Sequence, residues 1–205
     1  MSPEPPASRA APAAPTVPST ARGAATSRRI IDAAAVEFAA RGIAGARIDR
    51  IIAAAHTNKA QLYGYFGSKD GLFDAVVADR VSFTTEARPF DAADLPGWAV
   101  GLYDHNLRQP DLVRLIAWIR LERRPTGLWF DSADHEQKLA EIAAEQAAGR
   151  LCAGDPFDLL TLVISMACAW SPASGVYTAT ADEPAADHDR RRALLRDCVA
   201  RAVAP

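Results

Sequence analysis

An all-α fold is predicted by three observations. Apolar residues recur at three- and four-residue steps from Ile30 to Val199, no run reads as a strand, and Pro or Gly punctuates the chain between the periodic stretches. About nine helices fit between these breaks, in an N-terminal three-helix unit with a helix-turn-helix and a larger C-terminal helical domain. The division predicted is a disordered tail at 1–24, the helix-turn-helix unit at 25–69, and a helical domain at 70–205.

Residues 1–24 hold six prolines among Ala and Ser and have no apolar period, so they are expected to be disordered. Ser27 to Arg41 carries Ile30, Ile31, Ala34, Ala35 and Phe38 on one helical face, and Gly42 ends it. Arg28 and Arg29, at its start, either face a duplex backbone or form a solvated face. From Ile48 to Lys69 the spacing describes two short helices held at a sharp angle. Ile48, Ile51 and Ile52 belong to the first, His56-Thr57-Asn58 interrupts, and Asn58 suits the cap of the second. Leu62 and Phe66, four apart, point inward and leave Lys59, Ala60, Gln61, Tyr63, Gly64 and Tyr65 mostly outward. Donors and aromatic rings on such a face suit a DNA groove.

A longer helix, 70–87, carries Leu72, Phe73, Val76, Val77 and Val81 inward and joins the two domains. After Arg88-Pro89-Phe90 a helix opens at Asp94 or Pro96, another runs from Pro110 to Glu122, and a loop follows at 123–127. A polar helix is expected from Ser132 to about Leu151. The stretch from Pro156 to about Trp170 is apolar on most sides and must be covered on more than one face. At about 16 residues it is too short for a membrane span. The last helix, about 185–203, buries Leu194, Leu195 and Val199 beneath five arginines.

The segment Ile30 to Leu72, and above all Leu62-Tyr63-Gly64-Tyr65-Phe66-Gly67-Ser68-Lys69-Asp70-Gly71-Leu72, resembles the DNA-binding domain of the tetracycline-repressor (TetR) family of regulators. Further matches are Ala33, Phe38, Gly42, Ile48, Ile51, Ala55 and Lys59. The resemblance implies a ligand-responsive regulator, a repressor that binds palindromic operator DNA as a homodimer and is released by a small molecule. It departs from the family at His56, where glycine is usual, at Ala46-Arg47, where a hydroxyl is common, and at Gly64, where a larger residue is common. A left-handed turn accepts His less readily than Gly. Arg47 replaces the hydroxyl's phosphate contact by charge, and Gly64 permits close backbone approach to DNA.

The expected DNA-binding residues are therefore Arg47, Asn58, Lys59, Ala60, Gln61, Tyr63, Gly64, Tyr65 and Lys69. Gln61, Tyr63 and Tyr65 read bases, while Lys69 and Arg47 contact phosphates. The resembled family encloses a small-molecule pocket in its C-terminal domain. Trp98, Tyr103, Trp118, Trp129, Met166 and Trp170 are the candidate lining here, with His105, Asn106 and Glu122 as polar neighbours, and they favour an apolar or aromatic effector. Leu159, Leu160, Val163, Leu194, Leu195 and Cys198 are the expected dimer interface.

Composition narrows the alternatives. The formal charge of −2 hides an asymmetry, since residues 1–69 carry nine basic and four acidic side chains and the remainder fourteen and twenty-one. Phosphate attraction favours docking through the N-terminal end. Catalytic motifs and a phosphate-binding glycine loop are absent, so no enzyme and no cofactor is expected. The four histidines are scattered and the three cysteines lack metal-ligand spacing, so no metal is expected either. Without a membrane span or signal-peptide core, the cytoplasm is the expected compartment. A helical protein–protein adaptor whose helix-turn-helix serves packing alone is the alternative.

Overall fold

The computed structural model describes the backbone of residues 21–87, 89–123 and 133–205 and, except at 81–87, 133 and 134, their side chains. Among these residues are nine α-helices, one short 3-10 turn and no strand. The helices are α1 (Ala21–Gly45), α2 (Ile48–Ala54), α3 (Lys59–Phe66), α4 (Lys69–Ala87), α5 (Leu95–Arg108), α6 (Pro110–Glu122), α7 (Ala133–Ala147), α8 (Pro156–Ala167) and α9 (Ala185–Val203). Residues 21–24 are helical, so α1 takes in the end of the expected tail, and 1–20 lie outside the described residues.

α1 buries Ile30, Ala34, Ala35, Phe38 and Ala39 along one face, the period visible in the sequence. Gly42 interrupts it as expected, at φ 69° and ψ −179°, but the chain resumes for one more turn instead of stopping. A side chain at 42 would be strained by its backbone angle and would also strike Glu122 Oε1 and the Trp118 ring. α2 ends at Ala55, after which the His56 N–H bonds Ala53 O at 3.3 Å and the Thr57 N–H bonds Ile52 O at 3.0 Å. That pair of bonds turns the chain through a left-handed residue, and His56 occupies it at φ 50°.

The helices form two cores. In the first, Ile30, Phe38, Ile51, Leu62, Leu72, Phe73 and Val76 pack with Leu115 and Ile119 of α6. Phe38 and Phe73 meet edge to face at 5.0 Å. The second gathers Leu95, Trp98, Ala99 and Tyr103 of α5 with Ile142 of α7, Leu160 and Val163 of α8, and Leu195 and Val199 of α9. Packing does not divide at residues 69 and 70, because α4 and α6 complete the first core. Helices of seven and eight residues such as α2 and α3 bury too little surface to stand with α1 alone.

α8 is covered by its own chain along Leu159, Leu160, Val163 and Ala167, while Leu162 and Ile164 are exposed. α9 buries Leu195, Val199 and Val203 and leaves Leu194 exposed, the reverse of the expectation for Leu194. Among the described residues no helix is long and apolar enough to cross a membrane, and no three His, Cys, Asp or Glu side chains gather as a metal site. Val81, expected to be buried, and Trp129, expected to line a pocket, lie outside the described side chains.

The left-handed backbone at position 56 predicts a gain on replacing its side chain. His56→Gly relieves roughly 1–2 kcal/mol of left-handed strain and returns about half of it as extra chain entropy. A net rise of a few degrees in thermal midpoint is expected by calorimetry.

Candidate nucleic-acid interface

The start of α3 is set by Asn58, whose backbone is extended and whose Oδ1 accepts the Gln61 N–H at 2.9 Å. With Leu62 and Phe66 fixed in the first core, Lys59, Ala60, Gln61, Tyr63 and Gly64 are exposed together. Tyr65 is not, being half-buried and edge-on to Phe66 at 6.1 Å, so its ring belongs as much to the core as to the outer face. A side chain at Gly64 would meet nothing within 4 Å, so packing within the chain does not require glycine there.

The exposed polar groups are tied to neighbours. The Lys59 ammonium meets Asp49 of α2 at 2.8 Å, and that hydrogen bond, with the carboxylate's charge, holds Lys59 above its usual value. Both side chains are well exposed, so the pair contributes little to stability and yields readily to a phosphate. Thr57 Oγ1 donates to Gln61 Oε1 at 2.6 Å. Lys69 Nζ donates to Ala44 O at 3.2 Å across the kink of α1, which leaves two further N–H groups for an anion. Arg47 stands exposed at the head of α2, and its guanidinium has no partner among the described residues.

Arg28 and Arg29, which had two readings, act within the fold. Arg28 binds Asp32 at 2.8 Å and Asp79 of α4 at 2.7 Å. Burial pushes the Asp32 carboxyl up, but the guanidinium groups of Arg28 and Arg80 outweigh it and hold it below its usual value. Arg29 Nε donates to Ala55 O at 3.2 Å, supplying a donor to the end of α2. Arg50 binds Glu37 Oε1, which also accepts the Arg47 N–H at 3.0 Å and so anchors the start of α2 on α1.

Sequence reasoning did not find the bracket that α6 places on this unit. Beyond Gly42 the helical ladder is broken, and the freed N–H groups of Ile43 and Ala44 are taken by the two oxygens of Glu122 at 3.0 and 2.8 Å. One turn earlier on α6, Trp118 Nε1 donates to Ala39 O at 3.2 Å. Next along the chain, Arg123 meets Asp74 at 2.5 Å and Asp70 at 3.3 Å and lies 5.0 Å from the Phe73 ring centre. Three polar groups in the last two turns of α6 and at its cap thus grip α1 and α4, which pack against α3.

Two family models cover the chain. That of the bacterial regulatory proteins of the tetR family matches residues 30–76, and that of the tetracyclin repressor-like C-terminal domain matches 94–201. The chain belongs to the TetR family of transcriptional regulators. It is 38% identical over 147 residues to the HTH-type transcriptional repressor SCO4008 of Streptomyces coelicolor, covering 70% of this chain and 77% of that protein. A solved structure of SCO4942, a transcriptional regulator by its description and also from Streptomyces coelicolor, superposes with a TM-score of 0.72 at 37% identity over 87% of this chain and 98% of that one. A TetR family regulator from Pseudomonas syringae shares the fold, with a TM-score of 0.62 at 24% identity over 86% of this chain and 95% of that one.

In this TetR-family chain the expected effector lining divides. Trp98, Tyr103, Met166 and Trp170 belong to the second core, with Trp98 edge-on to Phe90 at 4.9 Å and Tyr103 edge-on to Trp170 at 5.8 Å. Tyr103 Oη also meets His188 Nδ1 at 2.7 Å. Trp118 and Glu122 leave the expected group because both are committed to α1. Trp129 lies outside the described residues. Burial, and then Arg108, pushes the His105 imidazole below its usual value. A surface depression of about 550 Å³ lies elsewhere, between α1 and α2, and its lining of Arg29, Asp32, Glu37 and Arg50 is charged.

The expected dimer residues also divide. Leu159, Leu160, Val163 and Leu195 are enclosed in the chain's own core, so they cannot meet a second copy. Leu194 and Cys198 are exposed, and so are Leu162 and Ile164 on α8, which were not named. The period of a helix marks which residues are covered, and here the covering element is α5.

The bracket predicts coupled losses. Glu122→Ala leaves two N–H groups of the kinked turn without their carboxylate, at a cost of about 1–2 kcal/mol by analogy with a lost helix cap. Chemical denaturation should show that loss, and operator affinity measured by anisotropy should fall with it.

Proposed function

We propose that this chain is a repressor that binds a palindromic operator as a homodimer and leaves it when a small molecule binds the C-terminal domain. The observation that carries the reading is the recognition helix, whose capped start and core-facing Leu62 and Phe66 hold Gln61, Tyr63 and Lys59 out together. Gln61 and Tyr63 read base edges, Lys59 reads a base or phosphate, and Arg47 and Lys69 hold the backbone. Tyr65 contributes its rim alone, since its ring also packs inward. The positive balance of residues 1–69 brings the domain to DNA, and the acidic remainder keeps the far end away. Operator DNA places the protein in the cytoplasm.

Dimerisation sets two such helices on one duplex, because a two-fold axis in the protein requires one in the operator. Leu162 of α8, with Leu194 and Cys198 one turn apart on α9, are the exposed side chains we assign to it. The effector is apolar or aromatic and packs beside Trp98, Tyr103, Met166 and Trp170. It reaches the recognition helix through the end of α6 as well as through α4, since Trp118, Glu122 and Arg123 hold α1 and α4. The coupling is reciprocal, so operator DNA weakens the effector by the factor with which the effector weakens DNA.

Operator binding tests the reading directly. Titrating promoter fragments at two salt concentrations should give saturable, sequence-selective binding that weakens with salt, and no binding at low salt would favour the adaptor reading. Gln61→Ala should relax selectivity at one base pair per half-site at a cost of about 1–3 kcal/mol, whereas Lys69→Ala should weaken all sequences alike. For the assembly, Leu194→Arg should yield monomers by sedimentation and lose operator binding with them. A dimer that survives moves the interface off the α8 and α9 face.

A further inference from the structure

Two buried nitrogens of α9 have no hydrogen-bond partner among the described residues, Nε2 of His188 and Nη1 of Arg191. Their side chains are 6% and 9% exposed, and three residues apart they share one face of the helix. Buried polar atoms are ordinarily satisfied, so a pair left over on one face calls for a partner from outside the chain.

Both side chains meet at the buried Tyr103 of α5. Its Oη lies 2.7 Å from His188 Nδ1, and the same hydroxyl, followed by the Glu183 carboxylate, holds the Arg191 guanidinium above its ordinary value. A guanidinium donates and never accepts, so the hydroxyl turns its lone pairs to Arg191 and its proton to Nδ1. His188 then carries its own proton on Nε2, and both unpartnered nitrogens are donors. Glu183 reaches Arg191 through Nη2 instead, at 2.7 Å, while its Oε1 accepts the Thr180 N–H at 2.9 Å and the Tyr177 hydroxyl at 3.1 Å. Asp104, next to Tyr103 in the chain, is taken by Arg192 at 2.8 Å.

The surroundings are aromatic. Trp170 stands edge-on to Tyr103 at 5.8 Å, and the ring of Tyr177 lies 5.2 Å from the Arg191 guanidinium. Tyr177 is exposed, so it is the side of the cluster that faces solvent. Two donors, one of them cationic, match the two oxygens of a carboxylate, and rings beside them match a planar apolar body. We propose that His188 and Arg191 form a carboxylate-binding site for an aromatic acid, whose oxygens take the protons of His188 Nε2 and Arg191 Nη1 and whose ring packs beside Tyr103 and Trp170. This rests on the reading of the C-terminal domain as the seat of a small-molecule effector, and it names the chemical class of that effector.

Benzoate, 1-naphthoate and indole-3-acetate, each beside its primary amide, test the site by calorimetry on the full-length protein. At least one acid should bind about tenfold more tightly than its amide, as expected where a hydrogen bond gains a charge. Arg191→Gln, which keeps N–H donors without the charge, should bring that acid and its amide to within about twofold. His188→Gln, which can offer an acceptor to Tyr103 and a donor to the ligand, should retain the preference. A measurement on the wild-type protein does not depend on how Arg191→Gln folds: of the four histidine side chains, the one missing from the imidazole nitrogen spectrum of His188→Gln should shift when the acid is added. Acids and amides that bind alike or not at all would mean that water alone serves the two nitrogens, and would overturn the proposal. So would an acid preference that Arg191→Gln keeps, or an acid that leaves the His188 resonance in place. Operator anisotropy in parallel keeps the two readings apart. An acid that binds through Arg191 without releasing operator leaves the site standing and sinks the effector role, whereas release by acid and amide alike keeps the effector role and overturns the site.

Discussion

The constraint on which the DNA-binding half depends is the break in α1 at Gly42. A straight helix would carry residues 43–47 onward along its axis and away from the face where α2 must lie. The left-handed glycine redirects the chain, and the redirected turn has no carbonyl ladder behind it for its first amides. Glu122 stands in for that ladder with a charged acceptor, and Trp118 closes the other side by donating to Ala39 O. The angle at which α2 and α3 leave α1 is thus decided by two side chains of α6 and by the absence of a Cβ where they approach.

α6 consequently has two allegiances. It belongs by sequence to the C-terminal half, yet Leu115 and Ile119 are buried in the first core with Phe38, Phe73 and Leu72. A three-helix unit of this size buries too little surface to be rigid by itself. Borrowing one helix from the other half supplies that surface and ties the two halves together through α6. A rearrangement of the second core that rotates α6 has to move the kink, because Glu122 cannot follow the rotation and keep both of its amides.

The recognition face is built on a different economy. Its structure comes from inward residues and caps, while its outward polar groups are engaged with each other: Lys59 with Asp49, Gln61 with Thr57, Lys69 with Ala44. Exposed pairs of this kind contribute little to stability, so they restrain the side chains without barring DNA. They lower the rotamer entropy that docking would otherwise have to remove. Arg47 is different, a free cation at the head of α2 among the described residues.

Local chemistry was legible in the sequence. Helical periods placed α1 to α9, Asn58 marked the start of α3 through its capping oxygen, and Leu62 and Phe66 marked its inner face, while the left-handed turn at His56 was expected from the family's glycine there. These depend on residues within a few positions of one another, and a one-dimensional pattern contains such relations in full. Tertiary structure alone decided the rest. Glu122 meets amides some eighty residues away, Trp118 turned from a pocket candidate to a brace for α1, and Tyr65 turned partly inward. Leu160 and Leu195 turned from dimer face to protomer core for the same reason, since an apolar stripe states that a face is covered but not by which surface. The identity of the cover is a property of the packed molecule: α5 packs against both α8 and α9, and Leu162 and Leu194 remain exposed.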